Sequence, residues 1–113
     1  MNKNEMMKGF NDYFILTILK TKDSYGYEIS KRISELSDSN YTIKESTMYT
    51  ALQRLEVMGY IQSYKGNLTH GKPRLYYHLT KGGIEYLKEL EVEVQLLMRC
   101  IDKFTGGNDD GKG

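Results

Sequence analysis

Glu45-Ser46-Thr47-Met48-Tyr49-Thr50-Ala51-Leu52-Gln53-Arg54-Leu55-Glu56-Val57-Met58-Gly59-Tyr60-Ile61-Gln62-Ser63-Tyr64 is where the chain changes its period. In its first part Met48, Ala51, Leu52, Leu55 and Met58 recur at helical spacing and predict the buried face of a helix over Glu45 to Met58. Gly59 suits the left-handed position just past a helix. From Tyr60 the pattern becomes that of a strand. Tyr60–Tyr64 and Leu75–Leu79 read as strand partners, joined by the glycine-punctuated loop Lys65-Gly66-Asn67-Leu68-Thr69-His70-Gly71-Lys72-Pro73-Arg74.

Upstream, Phe10, Tyr13, Phe14, Ile15, Leu16, Ile18 and Leu19 cover most of the circumference of a helix from about Met6 to Lys20. Such a helix belongs at the centre of a small bundle. Ser24 is read as the N-cap of a second helix, with Glu28 near its positive end and Ile29, Ile33 and Leu36 as its apolar stripe, ending near Ser37. Ser37–Asn40 is a loop, and Tyr41-Thr42-Ile43 has the composition of a very short strand. Downstream, Thr80 caps a last helix from Lys81 to Phe104, whose start Gly82 and Gly83 are expected to weaken. Three helices followed by a two-stranded hairpin make an α+β, mainly α fold, the winged helix-turn-helix, with an added C-terminal helix. The expected division is a winged domain over residues 5–80, a dimerisation helix over 81–104, and a disordered tail over 105–113 without apolar residues.

The chain has 113 residues, 39% of them hydrophobic, and a formal charge of +1. This supports one small core and excludes a uniformly basic coat. No run reaches the roughly 18 apolar residues of a membrane span, and nothing N-terminal has the pattern of a signal peptide. A single cysteine, Cys100, with two histidines makes a poor metal set. The expectation is a cytoplasmic protein without metal or cofactor. No nucleophile elbow, phosphate loop or paired His/Asp set points to catalysis.

The outward face of the third helix carries Ser46, Thr47, Tyr49, Thr50, Gln53 and Arg54. Hydroxyls, an amide and a guanidinium suit phosphates and base edges in a major groove, although any solvated helix face resembles this one. The loop adds Lys65, Lys72 and Arg74, with His70 titratable near neutral pH. From Tyr41 to Thr80 five Lys/Arg stand against two Glu, whereas Glu85 to Glu93 holds four acids and one Lys. This segregation fits one DNA-facing side. The ten tyrosines fit the same setting, because the ring packs while the hydroxyl reaches a phosphate. Tyr25 and Tyr49 are the two assigned that role; Tyr27, Tyr41, Tyr60, Tyr76, Tyr77 and Tyr86 are assigned to core or rim packing.

Leu87, Leu90, Val94, Leu97, Ile101 and Phe104 alternate in gaps of three and four, a heptad seam for a second copy. Packing on its own domain is the competing explanation, and Ile84, Tyr86, Val92, Leu96 and Met98 allow it in part. A two-fold dimer would read pseudo-palindromic half-sites. A winged helix used for protein or RNA contacts, with no operator, is the alternative function.

Ser24-Tyr25-Gly26-Tyr27-Glu28-Ile29, Glu45 to Glu56, and Arg74-Leu75-Tyr76-Tyr77-His78-Leu79-Thr80-Lys81-Gly82-Gly83 resemble the PadR family of bacterial transcriptional regulators. The matching family motifs are a YGYEI helix start, a TLYPALxRLExxGLI recognition helix and an RKYYxLTxxG wing exit. The resemblance runs from about residue 10 to residue 85, and the single C-terminal helix matches the short subfamily. It implies a homodimer on double-stranded DNA, with Tyr49 at the motif tyrosine and Arg74 at the basic wing exit. It also implies a repressor released by an aromatic or apolar small-molecule effector. Two departures stand out: Thr50 replaces the usual Pro, and the wing is less basic than the family's GGRRRK run. In multidrug-sensing members the ligand lies between first and C-terminal helices, often against a tryptophan. This chain has no Trp. Met6, Met7, Phe10, Val94 and Met98 would wall such a pocket, with methionine suited to broad apolar ligands.

Overall fold

A computed structural model describes residues 3–69 and 72–106. The elements in order are α1 (Lys3–Thr21), β1 (Ser24–Tyr25), α2 (Gly26–Leu36), α3 (Glu45–Val57), β2 (Ile61–Thr69), β3 (Lys72–Leu79) and α4 (Lys81–Thr105). The strands form one antiparallel sheet in the order β1-β3-β2. Helix α1 packs on α2, α3, α4 and β3. Its Ile15, Leu16, Ile18 and Leu19 are buried with Ile29 and Ile33 of α2, Met48, Ala51, Leu52 and Leu55 of α3, and Ile61, Tyr77 and Leu79 of the sheet. An α1 apolar over most of its circumference is what this central position requires.

Several local expectations change. Ser24 is not a helix cap. It pairs with Tyr77 in β1, while Tyr25 takes the extended N-cap position of α2 without a side-chain hydrogen bond. Tyr41, Thr42 and Ile43 form no strand. Ile43 instead enters the core, and the third strand of the sheet is β1. The wing strands extend through most of the expected loop, with a register shift between Lys65 and Leu68. A bulge of this kind lets glycine-bearing sequence stay in a ladder. Leu36 and Met58, assigned to buried faces, are exposed because Leu36 is the last residue of α2 and Met58 is the C-cap of α3, both beyond the edge of the core. Tyr27 is also exposed rather than packed.

Gly59 takes φ +83°, the left-handed position that closes α3. Thr80 Oγ1 accepts from the Gly83 N–H at 3.0 Å, capping α4, and donates to the Gly59 carbonyl at 2.7 Å. The glycines do not merely weaken this helix start. A Cβ at Gly83 would collide with the Tyr60 carbonyl oxygen, so only glycine lets α4 begin against the start of the wing. Leu87 is 1% exposed within its own domain, with Tyr86 and Leu90 packed against the same core. Beyond them α4 runs clear of the domain and stretches the molecule to 59 × 28 × 28 Å. Thr105 is its last helical residue, inside the span expected for the tail, and Gly106 caps it in the left-handed region. The remaining tail lies outside the described residues.

Candidate nucleic-acid interface

Helix α3 presents four surfaces. Its inner face enters the core, and its outer face leaves Ser46, Thr50 and Gln53 exposed. One flank meets α2 and the sheet. There Tyr49 lies over the first turn of α2, where a Cβ at Gly26 would fall 2.8 Å from the Tyr49 Oη. The glycine makes the seat for this ring, and Tyr49 remains 46% exposed at the rim. On the same flank Glu56 Oε2 accepts from the Ser63 N–H at 3.0 Å and from its hydroxyl at 2.7 Å. That carboxylate is fixed on β2, away from the outer face.

The other flank faces α1. Arg54 donates from Nη2 to Asp12 Oδ1 at 2.6 Å and from Nη1 to Oδ2 at 3.1 Å. The Asp12 side chain is 3% exposed and that of Arg54 27%. Tyr86 of α4 donates to the same Asp12 Oδ2 at 3.3 Å. The hydrogen bonds to Asp12 raise the Arg54 guanidinium further, against the effect of its partial burial. Burial and the adjacent Asp12 push the Tyr86 hydroxyl up. Arg54 is therefore not the fully open donor expected from the sequence, because two of its N–H groups are engaged by Asp12 and its side chain is partly buried. The signal missed was Asp12, a charged residue on the most apolar helix.

Between α1, the 40–44 segment and α3 lies a groove of about 830 Å³, lined by Met7, Lys8, Asn11, Lys44, Ser46, Thr47, Thr50 and Arg54 among others. Lys44, immediately before α3, is exposed at its mouth and was not among the sequence-derived candidates, although its charge entered the segment balance. Tyr41 donates to Asn11 Oδ1 at 2.6 Å and fixes the groove's wall to α1. Met7 lines this groove, whereas Phe10, Val94 and Met98 do not. The Met6 side chain lies outside the described residues.

In the wing, the Arg74 guanidinium carbon sits 4.2 Å from the centroid of the Tyr25 ring, and Tyr76 meets that ring edge-on at 5.4 Å. Tyr25 is thus a platform for Arg74, which directs that cation by a cation–π contact. Lys65 is exposed on β2. Asp23 accepts from Tyr64 Oη at 2.6 Å and from His78 Nδ1 at 2.9 Å, tying the α1–β1 turn to both wing strands. The Tyr64 hydroxyl, against partial burial and with help from His78, holds the Asp23 carboxyl below the usual carboxylate range. The same bond raises the Tyr64 phenol. His70 and the Lys72 side chain lie outside the described residues.

Of the predicted dimer residues, Leu87 is covered by its own chain, and Leu90 and Val94 are half-buried. Leu97 is 42%, Ile101 45% and Phe104 92% exposed. Leu87 is thus removed from the seam: it lies at the start of α4, where the helix still runs over α1 and β3. Among the described residues no group of three His, Cys, Asp or Glu side chains is placed to hold a metal. No helix among them is long and apolar enough to cross a membrane.

Helices α2 and α3 packed on α1, a polar outer face on α3 and a two-stranded wing beside it define a winged helix-turn-helix. The profile of the transcriptional regulator PadR-like family matches residues 15–89. A transcriptional regulator from Clostridium thermocellum superposes with a TM-score of 0.81 at 46% identity, over 88% of this chain and 97% of that one. A PadR family transcription regulator from Clostridium difficile R20291 gives 0.75 at 39% identity, over 86% and 99% of the respective chains. An uncharacterised protein from Lysinibacillus sphaericus is 39% identical over 107 residues, 95% of this chain and 98% of that protein. The chain belongs to the PadR-like family of transcriptional regulators, proteins that act by binding DNA.

Proposed function

We propose that this regulator is a homodimer that reads a pseudo-palindromic operator, acts as a repressor, and is released by an apolar or aromatic small molecule. One observation carries the reading: α4 leaves Leu97, Ile101 and Phe104 open to solvent after its own domain has ended. An apolar stripe of this length on a helix is stable in water when a second copy covers it. The dimer places two α3 faces on one side of a duplex. Ser46, Thr50 and Gln53 meet base edges, Thr47 and Tyr49 lie at the flanks, and Lys44, Lys65, Lys72 and Arg74 meet phosphates. Occupancy of a promoter-proximal operator blocks transcription. Phe10, Val94 and Met98, with the two first helices brought to the dimer centre, supply an apolar site through which a ligand alters the spacing of the two α3 helices.

Selection of duplexes from a randomised library by the purified protein tests this reading. The expected product is an inverted repeat, bound with an affinity that falls about a thousandfold between low and moderate salt, as several phosphate contacts per half-site require. Recovery of no sequence, or of a single half-site bound by one chain, contradicts it.

A further inference from the structure

Asp12 is a buried carboxylate that DNA contact does not use directly. It occupies the point where three elements meet. Its own helix is α1, Arg54 reaches it from the recognition helix with two hydrogen bonds, and Tyr86 reaches it from α4 with one. Tyr86 is itself stacked on Tyr60 at 4.2 Å, at the start of the wing. The carboxylate is thus fixed from two sides, and the guanidinium has a bidentate partner whose geometry it matches.

Arg54 lies seven residues after Thr47 and four after Thr50, and all three line the same groove. An arginine at this place, if free, would swing into the groove mouth beside the exposed Lys44. It would then meet phosphates as a flexible cation, adding affinity for any duplex. We propose that Asp12 is a specificity-determining, positioning residue. It holds Arg54 off the DNA and fixes the roll of α3 on α1, so that sequence choice rests on the neutral groups of Ser46, Thr50 and Gln53. This rests on the DNA reading above, and the two fail differently.

Affinities for the selected duplex and for a random duplex, each over a range of salt, supply the test. A wild type that selects no duplex ends the DNA reading before any variant is made. With a selected duplex in hand, Asp12→Asn raises affinity for the random duplex about tenfold and steepens the salt dependence by about one counterion per chain, lowering the specificity ratio. Adding Arg54→Met to Asp12→Asn returns the slope to that of the wild type. A role confined to folding would weaken both duplexes together, with no rescue by Arg54→Met, and that result overturns the proposal. Asp12→Leu with Arg54→Met replaces the buried ion pair by apolar groups, a change proteins often tolerate, and is expected to keep the wild-type slope. A slope shallower by about one places Arg54 on a phosphate and contradicts the assignment. Should either variant fail to fold, the unaltered protein decides by nitrogen NMR of its arginine side chains. The Arg54 guanidinium signals keep their free-state positions in the DNA complex, whereas a shift on DNA binding, with new exchange protection, overturns the proposal.

Discussion

Helices α3 and α4 bury the same kind of residue on their inner faces, Leu52 and Leu55 on one and Leu87 on the other, yet turn opposite chemistry outward. Ser46, Thr50 and Gln53 stand on the outer face of α3, and Leu97, Ile101 and Phe104 on the free part of α4. A polar outer face is complete in water and gains by exchanging water for base edges and phosphates. An apolar one is incomplete in water, and in the proposed dimer a second copy completes it. The charges follow the same division: positive in the winged segment, with much of the acid on α4, so a chain of net charge +1 is not neutral on its winged side.

The contrast within α4 gives the largest expected effect. Leu87→Ala cuts a cavity in the core and is expected to cost about 2–5 kcal/mol of folding stability. Leu97→Ala leaves the fold of each domain intact and weakens only self-association. Urea unfolding and sedimentation, run on both variants, separate the two outcomes, and equal loss of stability would break the division of α4 into core and seam. Ile101→Asp introduces a charge pair at the proposed seam. It is expected to give a folded monomer by sedimentation and about a hundredfold weaker binding to an inverted repeat, since the second half-site is no longer tethered. Gln53→Ala on the outer face of α3 leaves dimerisation and stability unchanged. It reduces discrimination at one base position by about 1–3 kcal/mol, read from competition among single-base variants of the duplex.

Acid titration gives the smallest effect. Because Asp23 has a lowered pKa in the folded state, its bonds to Tyr64 and His78 stabilise the wing above the ordinary carboxylate range, roughly pH 4. That contribution disappears as pH falls through the lower folded value. The Tm difference between the wild type and Asp23→Asn should therefore be present at pH 6 and shrink below about pH 4. The effect is modest because the Asp23 side chain is about one-third exposed.

What the sequence made legible was local. The α3 stripe, the left-handed Gly59, the Thr80 cap and the strand character of Tyr60–Tyr64 and Leu75–Leu79 each follow from neighbours a few residues apart. The errors were distant pairings. Ser24 joins a strand because Tyr77 lies opposite it, and nothing near Ser24 announces that partner. Arg54 stands on an outward face by composition, and nothing near it announces its bond to Asp12, 42 residues earlier. Leu87 keeps the heptad spacing of α4, but spacing defines a face and not which molecule covers it. Gly83 reads as a helix breaker until the Tyr60 carbonyl is found where its Cβ would be. The family resemblance carried the fold further than residue patterns did, and it left these side-chain partners to be found in the structure.

The central claim is that the exposed stripe of α4 joins two chains so that two α3 faces read one duplex. Sedimentation equilibrium of the wild type with a selected duplex, at protein concentrations spanning the binding transition, measures it directly. Two chains per inverted repeat, with Ile101→Asp loading chains singly and weakly, is the predicted result. One chain per duplex at saturation, or an Ile101→Asp variant that still binds as a pair with wild-type affinity, would contradict it.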